Sequence, residues 1–259
     1  MRKNKKKEII KKIGFIVLSI ILAIGLFLTY EHYKKATTIP SVDKLIKEKQ
    51  KNNFPDETEK PIDSTKYENP LPAAREYYQN NDIMGKLEIP NLNIDAWITR
   101  ASNNEYYLNN SLSHQRDELG VPFFDYRNIS LNTDRQINIY GHNTTNEKYF
   151  NQLPFINLEA YTNKDIYDHY KDIYLSIDER QIHYEIIAIK IITGNDNEHM
   201  KIIFYSDEDY LRHTAKLLQN TLYRDSSIGV SAEDRLIVLQ VCHYNPPNTY
   251  LLVIGKEVK

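Results

Sequence analysis

The sequence predicts a mainly β domain with a few surface helices, preceded by an N-terminal transmembrane helix and a stem. Three observations carry this. The run IGFIVLSIILAIGLFLTY at residues 13–30 holds no charge. Residues 34–72 are polar and rich in lysine, acid and proline. After Asp82 the texture changes to short alternating apolar segments separated by turn residues, the signature of strands in an antiparallel barrel or sandwich.

The 259 residues, 41% hydrophobic and 26% charged, suffice for a tether and one domain with a core of its own. The net charge of -2 gives no electrostatic case for a nucleic-acid partner, which demands a concentrated basic face, and beyond the first dozen residues the basic residues are interspersed with acids. In chain order the expected parts are a basic cytoplasmic tail over residues 1–12, a signal anchor over 13–30, an extracellular stem over 31–72 and the folded domain over 73–259. The anchor is long enough to cross a bilayer as a helix, which takes about 20 residues. Arg2, Lys3, Lys5, Lys6, Lys7, Lys11 and Lys12 crowd its leading side and hold it in the cytoplasm. The apolar run exceeds a usual signal-peptide core and no small-residue cleavage site follows it, so the anchor stays uncleaved.

Within the domain, AAREYYQNN at residues 73–81 follows Pro72 and reads as a docking helix. Strands are expected in MGKLEIPNLNIDAWIT, GVPFFDYRN and RQINIYGHN. Further strands fit at residues 172–177, 182–192, 202–204, 236–241 and 250–255. Helical pieces fit at 147–153 and at 206–222, where Ser206 with Asp209 makes a capping start.

Cys242, the one cysteine of the chain, closes the apolar run LIVLQV. A lone cysteine in an exported domain cannot form an internal disulfide. It is therefore either a small buried hydrophobe or a thiol with work to do. A working thiol needs a nearby base or cation, usually histidine. His142 ends the strand INIY, where Gly141 permits a sharp turn and the imidazole can face another strand end. His243 adjoins Cys242 but points to the opposite face of a strand. His32, His114, His169, His183, His199 and His213 lie in linker, loop, helix or strand-start contexts that read as solvated. One cysteine and no paired-histidine spacing give no metal site, and no cofactor is expected.

The segments GKLEIPNLNIDAWI, NNEYYLN, GVPFFDYRN and INIYGHN, followed by the strand ending in Cys242, succeed one another as in sortases. They most closely resemble the class B sortases, over about residues 84–256. The resemblance implies an eight-stranded sortase β-barrel, anchored in the membrane of Gram-positive bacteria. It also implies a cysteine transpeptidase that cleaves a C-terminal sorting signal of exported proteins. The acyl group would be held on the thiol and passed to an amine of a peptidoglycan precursor. By position, Cys242 is similar to the nucleophile and His142 to the general acid.

Two departures stand out. Sortases usually carry Thr-Leu-x-Thr-Cys, whereas this chain has Val238-Leu239-Gln240-Val241-Cys242. The arginine expected at the start of the next strand is replaced by Tyr250, and no arginine follows Arg235. Tyr250 is the candidate for the oxyanion or substrate contact. A phenol can donate a hydrogen bond to an oxyanion but supplies neither a fixed charge nor a bidentate fork. Arg127 is expected to be structural and Arg100 exposed. Two other readings stay open: a silent or weak module that binds sorting-signal peptides, and a cysteine peptidase releasing product to water.

The orientation is testable on cells. The protein is expected to fractionate with membranes, and protease added to cells freed of their wall is expected to digest the domain. Survival of the domain there contradicts the orientation.

Overall fold

The computed structural model describes residues 67–259. The expected basic tail, membrane anchor and most of the stem lie outside the described residues. Among the described residues no helix is long and apolar enough to cross a membrane.

Three α-helices are present: α1 (Leu71–Tyr78), α2 (Lys164–His169) and α3 (Asp207–Leu217). The strands are β1 (Ile83–Ile89), β2 (Ile94–Thr99), β3 (Phe123–Phe124), β4 (Gln136–Gly141), β5 (Asp172–Ser176), β6 (Gln181–Thr193), β7 (Tyr223–Arg224), β8 (Leu236–His243) and β9 (Thr249–Glu257). The order across the sheet is β5-β1-β2-β3-β4-β8-β9-β6-β7, and β5 also pairs with β6. Eight strands therefore close into a barrel, with β7 added along the free part of β6. Closure removes the unpaired edges that an open sheet would present.

Strand alternation sorts the side chains. Ile237, Leu239 and Val241 of β8, Ile137 and Ile139 of β4, and Leu251 and Val253 of β9 join the barrel interior. The opposite face of β8 and β9 carries Leu236, Val238, Leu252 and Ile254, packed under Leu217 and Leu218 at the end of α3. The barrel is thus covered on one outer side by a helix. Helix α3 buries Tyr210, His213, Thr214 and Leu217, the three- and four-residue spacing of one helix face. The Ser206 hydroxyl accepts from the backbone N–H of Asp209, as the capping pattern predicts.

Differences from the sequence expectations have local causes. Helix α3 stops at Leu217 and not at residue 222. Lys190, a buried residue of β6, donates to the Leu217 carbonyl at 3.1 Å, and Asn220 takes a left-handed φ of 52°. Helix α1 starts two residues before the expected 73, because Pro72 suits a first turn. Over 147–153 only a single 3₁₀ turn forms, Glu147–Tyr149. Pro154 forces the preceding Leu153 into extended backbone and opens a new 3₁₀ run, Pro154–Thr162. Residues 202–204 are not a strand. The closed barrel leaves them no partner edge, so Ile202 is buried while Ile203 stays exposed.

Phe155 of the 3₁₀ run is fully buried and lies against the end of β4. A Cβ built at Gly141 would sit 2.5 Å from the Phe155 ring, so only glycine fits there. Gly141→Ala is expected to cost about 1–3 kcal/mol through overpacking, read from urea unfolding. Unchanged stability would mean the ring can move aside.

Candidate active site

Strands β4 and β8 run parallel, in register from Gln136↔Leu236 to Gly141↔Val241. The next step along both strands brings His142 to the level of Cys242. Residues at one level of neighbouring strands share a face, about 5 Å apart. The face is the outer one, since Asn138 and Gln240 precede them there while Ile139 and Val241 point inward. Cys242 and His142 are both half-buried, at the mouth of the barrel and not in its core. Among the described residues the thiol makes no hydrogen bond to either ring.

The imidazole of His142 is held from one side. Its Nε2 lies 2.8 Å from the carbonyl oxygen of Leu108. A carbonyl only accepts, so Nε2 carries the hydrogen and Nδ1 is left for chemistry. Leu108 is itself fixed. The buried Tyr107 donates its hydroxyl to Asp82 at 2.8 Å, and Val121 N–H donates to the Tyr107 carbonyl at 3.1 Å. Gly120, with φ 55°, approaches that carbonyl so closely that a Cβ would be 2.3 Å away.

The Cys242 thiol is pushed above its ordinary range, first by burial and further by the charge of Glu159. Tyr250 stands directly opposite Cys242 in the antiparallel β8–β9 pair, which puts both side chains on the outer face. Its ring leans over toward Gly194 and packs beside the cluster under α3. Among the described residues no hydrogen bond joins its hydroxyl to the thiol.

Neither candidate arginine reaches the thiol. Arg127 pairs with the buried Asp125 at 2.7 Å and donates to the Met200 carbonyl at 2.8 Å. Arg100 is half-buried and not exposed as expected, because its guanidinium donates to the Asn128 carbonyl at 2.7 Å. His243 is buried on the inner side, with Nδ1 2.9 Å from the Glu159 carboxylate.

The sequence reading misplaced two other histidines. His199 and His213 are buried, not solvated, because α3 and the turn before it cover the outer face of β4 and β8. His199 Nε2 meets Gln240 Oε1 at 2.6 Å, and its carbonyl accepts from Gln136 and Asn138. His213 Nε2 meets Gln136 Oε1 at 2.8 Å. These contacts tie the β6–β7 connection to the sheet beside the thiol. Among the described residues no group of three His, Cys, Asp or Glu side chains is placed to hold a metal ion.

Residues the sequence reading did not single out also gather here. Asn143 donates to the Cys242 carbonyl at 2.8 Å and to Glu159 at 2.9 Å, and Tyr244 donates to the Asn143 carbonyl at 2.9 Å. Asn143 closes the INIYGHN segment, so its neighbourhood was visible. Glu159 lies in the 3₁₀ run and carries no pattern that singles it out.

The barrel, with a thiol and an imidazole at two adjoining strand ends, has the fold of solved sortase structures. The backbone superposes on Clostridium perfringens sortase B with a TM-score of 0.66 at 24% identity, over 73% of this chain and all of that one. In sequence the chain is 29% identical to Sortase B of Listeria monocytogenes over 164 residues, 63% of each protein. It is 22% identical to Sortase B of Staphylococcus aureus over 182 residues, 70% of this chain and 72% of that protein. The match thus spans just under two thirds of the Listeria protein. No family profile matches the sequence. The resemblance to the class B sortases read from the sequence is shown by these relatives.

The pH dependence of stability follows from the two covered histidines. Burial, as the largest cause, lowers both His199 and His213 below the ordinary imidazole value. As pH falls through about 6.5 the unfolded chain takes up protons that the native rings refuse, so stability falls with acid. His243 acts in the opposite sense. Burial would lower it, but the hydrogen bonds and charge of Glu159 leave it raised, and the stability it contributes is lost as pH rises. Urea unfolding at pH 7.5 and 5.5 is expected to show a smaller acid loss for His199→Gln than for the wild type. Equal losses would mean that His199 takes up a proton without disturbing the fold.

Proposed function

We propose that the protein is a membrane-anchored cysteine transpeptidase of class B sortase kind. It cleaves a C-terminal sorting signal of exported proteins and transfers them to an amine of the cell-wall precursor. The observation that carries this reading is the β4–β8 register, which sets Cys242 and His142 at one level of two strand ends, outside the core. The relatives' names support the same class.

In this reading the Cys242 sulfur attacks the scissile carbonyl carbon and forms a tetrahedral oxyanion. His142 Nδ1, as imidazolium, protonates the leaving amine while the C–N bond breaks, and a thioester remains. The incoming amine then attacks the thioester and yields its proton to the neutral imidazole, while the thiolate leaves. The chemistry requires the thiolate together with the imidazolium. Burial of the thiol works against its ionisation.

The missing arginine supports a second reading, a weak or silent module that binds sorting-signal peptides. Loss of one oxyanion donor costs roughly a hundred- to a thousandfold in rate. Tyr250 is the side chain in the arginine's place, directly across from Cys242. A peptidase that releases product to water is the third reading.

The test is mass spectrometry of the full-length protein incubated with sorting-signal peptides, with and without an added amine. An acyl adduct on Cys242 that passes to the amine is the expected result. Hydrolysis without transfer favours the peptidase, and binding without an adduct favours the silent module. Cys242→Ala and His142→Ala are each expected to abolish transfer with the fold intact. Full activity in either would remove that residue from the mechanism. Tyr250→Phe is expected to slow acylation more than it weakens peptide binding.

A further inference from the structure

Behind the thiol, on the interior side of β8, lies a polar cluster that this mechanism does not use. Glu159 is the hub. Its side chain is 17% exposed, and that of His243 is 7% exposed. Both carboxylate oxygens lie near His243 Nδ1, at 3.0 and 2.9 Å. One of them also accepts from Asn143 Nδ2 at 2.9 Å. The same amide nitrogen donates to the Cys242 carbonyl at 2.8 Å.

The residues served by this hub are telling. Asn143 immediately follows His142, and His243 immediately follows Cys242. Beyond Gly141↔Val241 the ladder between β4 and β8 has ended, so backbone pairing no longer fixes the spacing of the next residues. The side chains of Asn143 and Glu159 take over there. The half-buried carboxylate has its polar partners in His243 and Asn143.

We propose that Glu159 is a positioning residue, whose carboxylate gathers Asn143 and His243 and so holds the His142 and Cys242 strand ends in catalytic alignment. This rests on the transpeptidase reading above, in that its value to the chain is the alignment of those two side chains. Misalignment of a reacting group by about 1 Å costs on the order of a hundredfold.

The hub also acts on the thiol through charge. The titratable groups around Cys242 are Glu159 from the 3₁₀ run, His142 at the end of β4, His243 and Tyr244 on its own strand end, and Tyr250 on β9. Glu159 opposes formation of the thiolate. Removing its charge therefore favours the thiolate, while removing its hydrogen bonds loosens the strand ends. The two effects separate in different variants.

The test uses full-length protein in detergent, with iodoacetamide as a probe of the thiol. Cys242 is the one cysteine, so total alkylation reports it alone. For Glu159→Gln the midpoint of the alkylation-rate profile against pH is expected to move down, while kcat for transfer falls roughly ten- to a hundredfold with little change in KM. For Asn143→Ala, which keeps the carboxylate, the same fall in kcat is expected with the midpoint unmoved. Wild-type kcat in a folded Asn143→Ala, or an unmoved midpoint together with wild-type kcat in Glu159→Gln, overturns the proposal. Should Glu159→Gln fail to fold, His243→Asn is measured in its place. Loss of kcat there supports the hub, and wild-type kcat overturns it. If the wild type transfers nothing, the transpeptidase reading falls. The alkylation midpoints still show whether Glu159 acts on the thiol.

Discussion

The parallel pairing of β4 with β8 is the constraint on which the rest of this structure depends. It aligns Gln136 with Leu236 and Gly141 with Val241, segments far apart in sequence, in one unbroken register. Because side chains alternate along a strand, a slip of one residue would send Cys242 into the barrel and His243 out of it. The apolar side chains prevent that slip. Ile237, Leu239 and Val241 fill the interior beside Ile137 and Ile139, and none could exchange places with the polar Gln240 without burying an amide among aliphatic groups. Core packing on one face thus fixes the chemistry on the other.

What surrounds this pair is a set of braces of different kinds. Leu108 orients the His142 ring, and it is in turn fixed by the buried Tyr107 and by the close approach of Gly120. Phe155 presses on Gly141 from the 3₁₀ run that also delivers Glu159 to the barrel mouth. The histidines under α3 bind Gln136 and Gln240 on the outer face. A half-buried reactive pair is therefore bounded by loop, interior and helix, each tied to the sheet by hydrogen bonds or close packing.

The sequence carried much of this, and the reasons differ by element. LIVLQVCH and INIYGHN were legible as short apolar strands, but both faces are buried along most of their length, so burial did not alternate and only strand geometry separated Cys242 from His243. Motif order carried the barrel. The 3₁₀ run Pro154–Thr162 was not legible, since its buried Phe155, Ile156, Leu158 and Tyr161 follow neither a clean helical nor a strand period. Glu159 was invisible for the same reason. His199 and His213 read as solvated because the face that buries them is made by strands distant in sequence. Covering layers are tertiary facts and leave little local trace.

Tyr250, directly opposite Cys242, brings no fixed charge to this end of the strands. A guanidinium opposite the thiol would favour both the thiolate and the oxyanion. Here the carboxylate of Glu159 acts on Cys242 against the thiolate, adding to the effect of burial. Burial would lower His243, but the hydrogen bonds and charge of Glu159, 2.9 Å away, leave it raised above the ordinary imidazole range. The same half-buried carboxylate thus acts on two neighbours at one strand end in opposite senses, favouring the charged form of His243 and disfavouring that of Cys242.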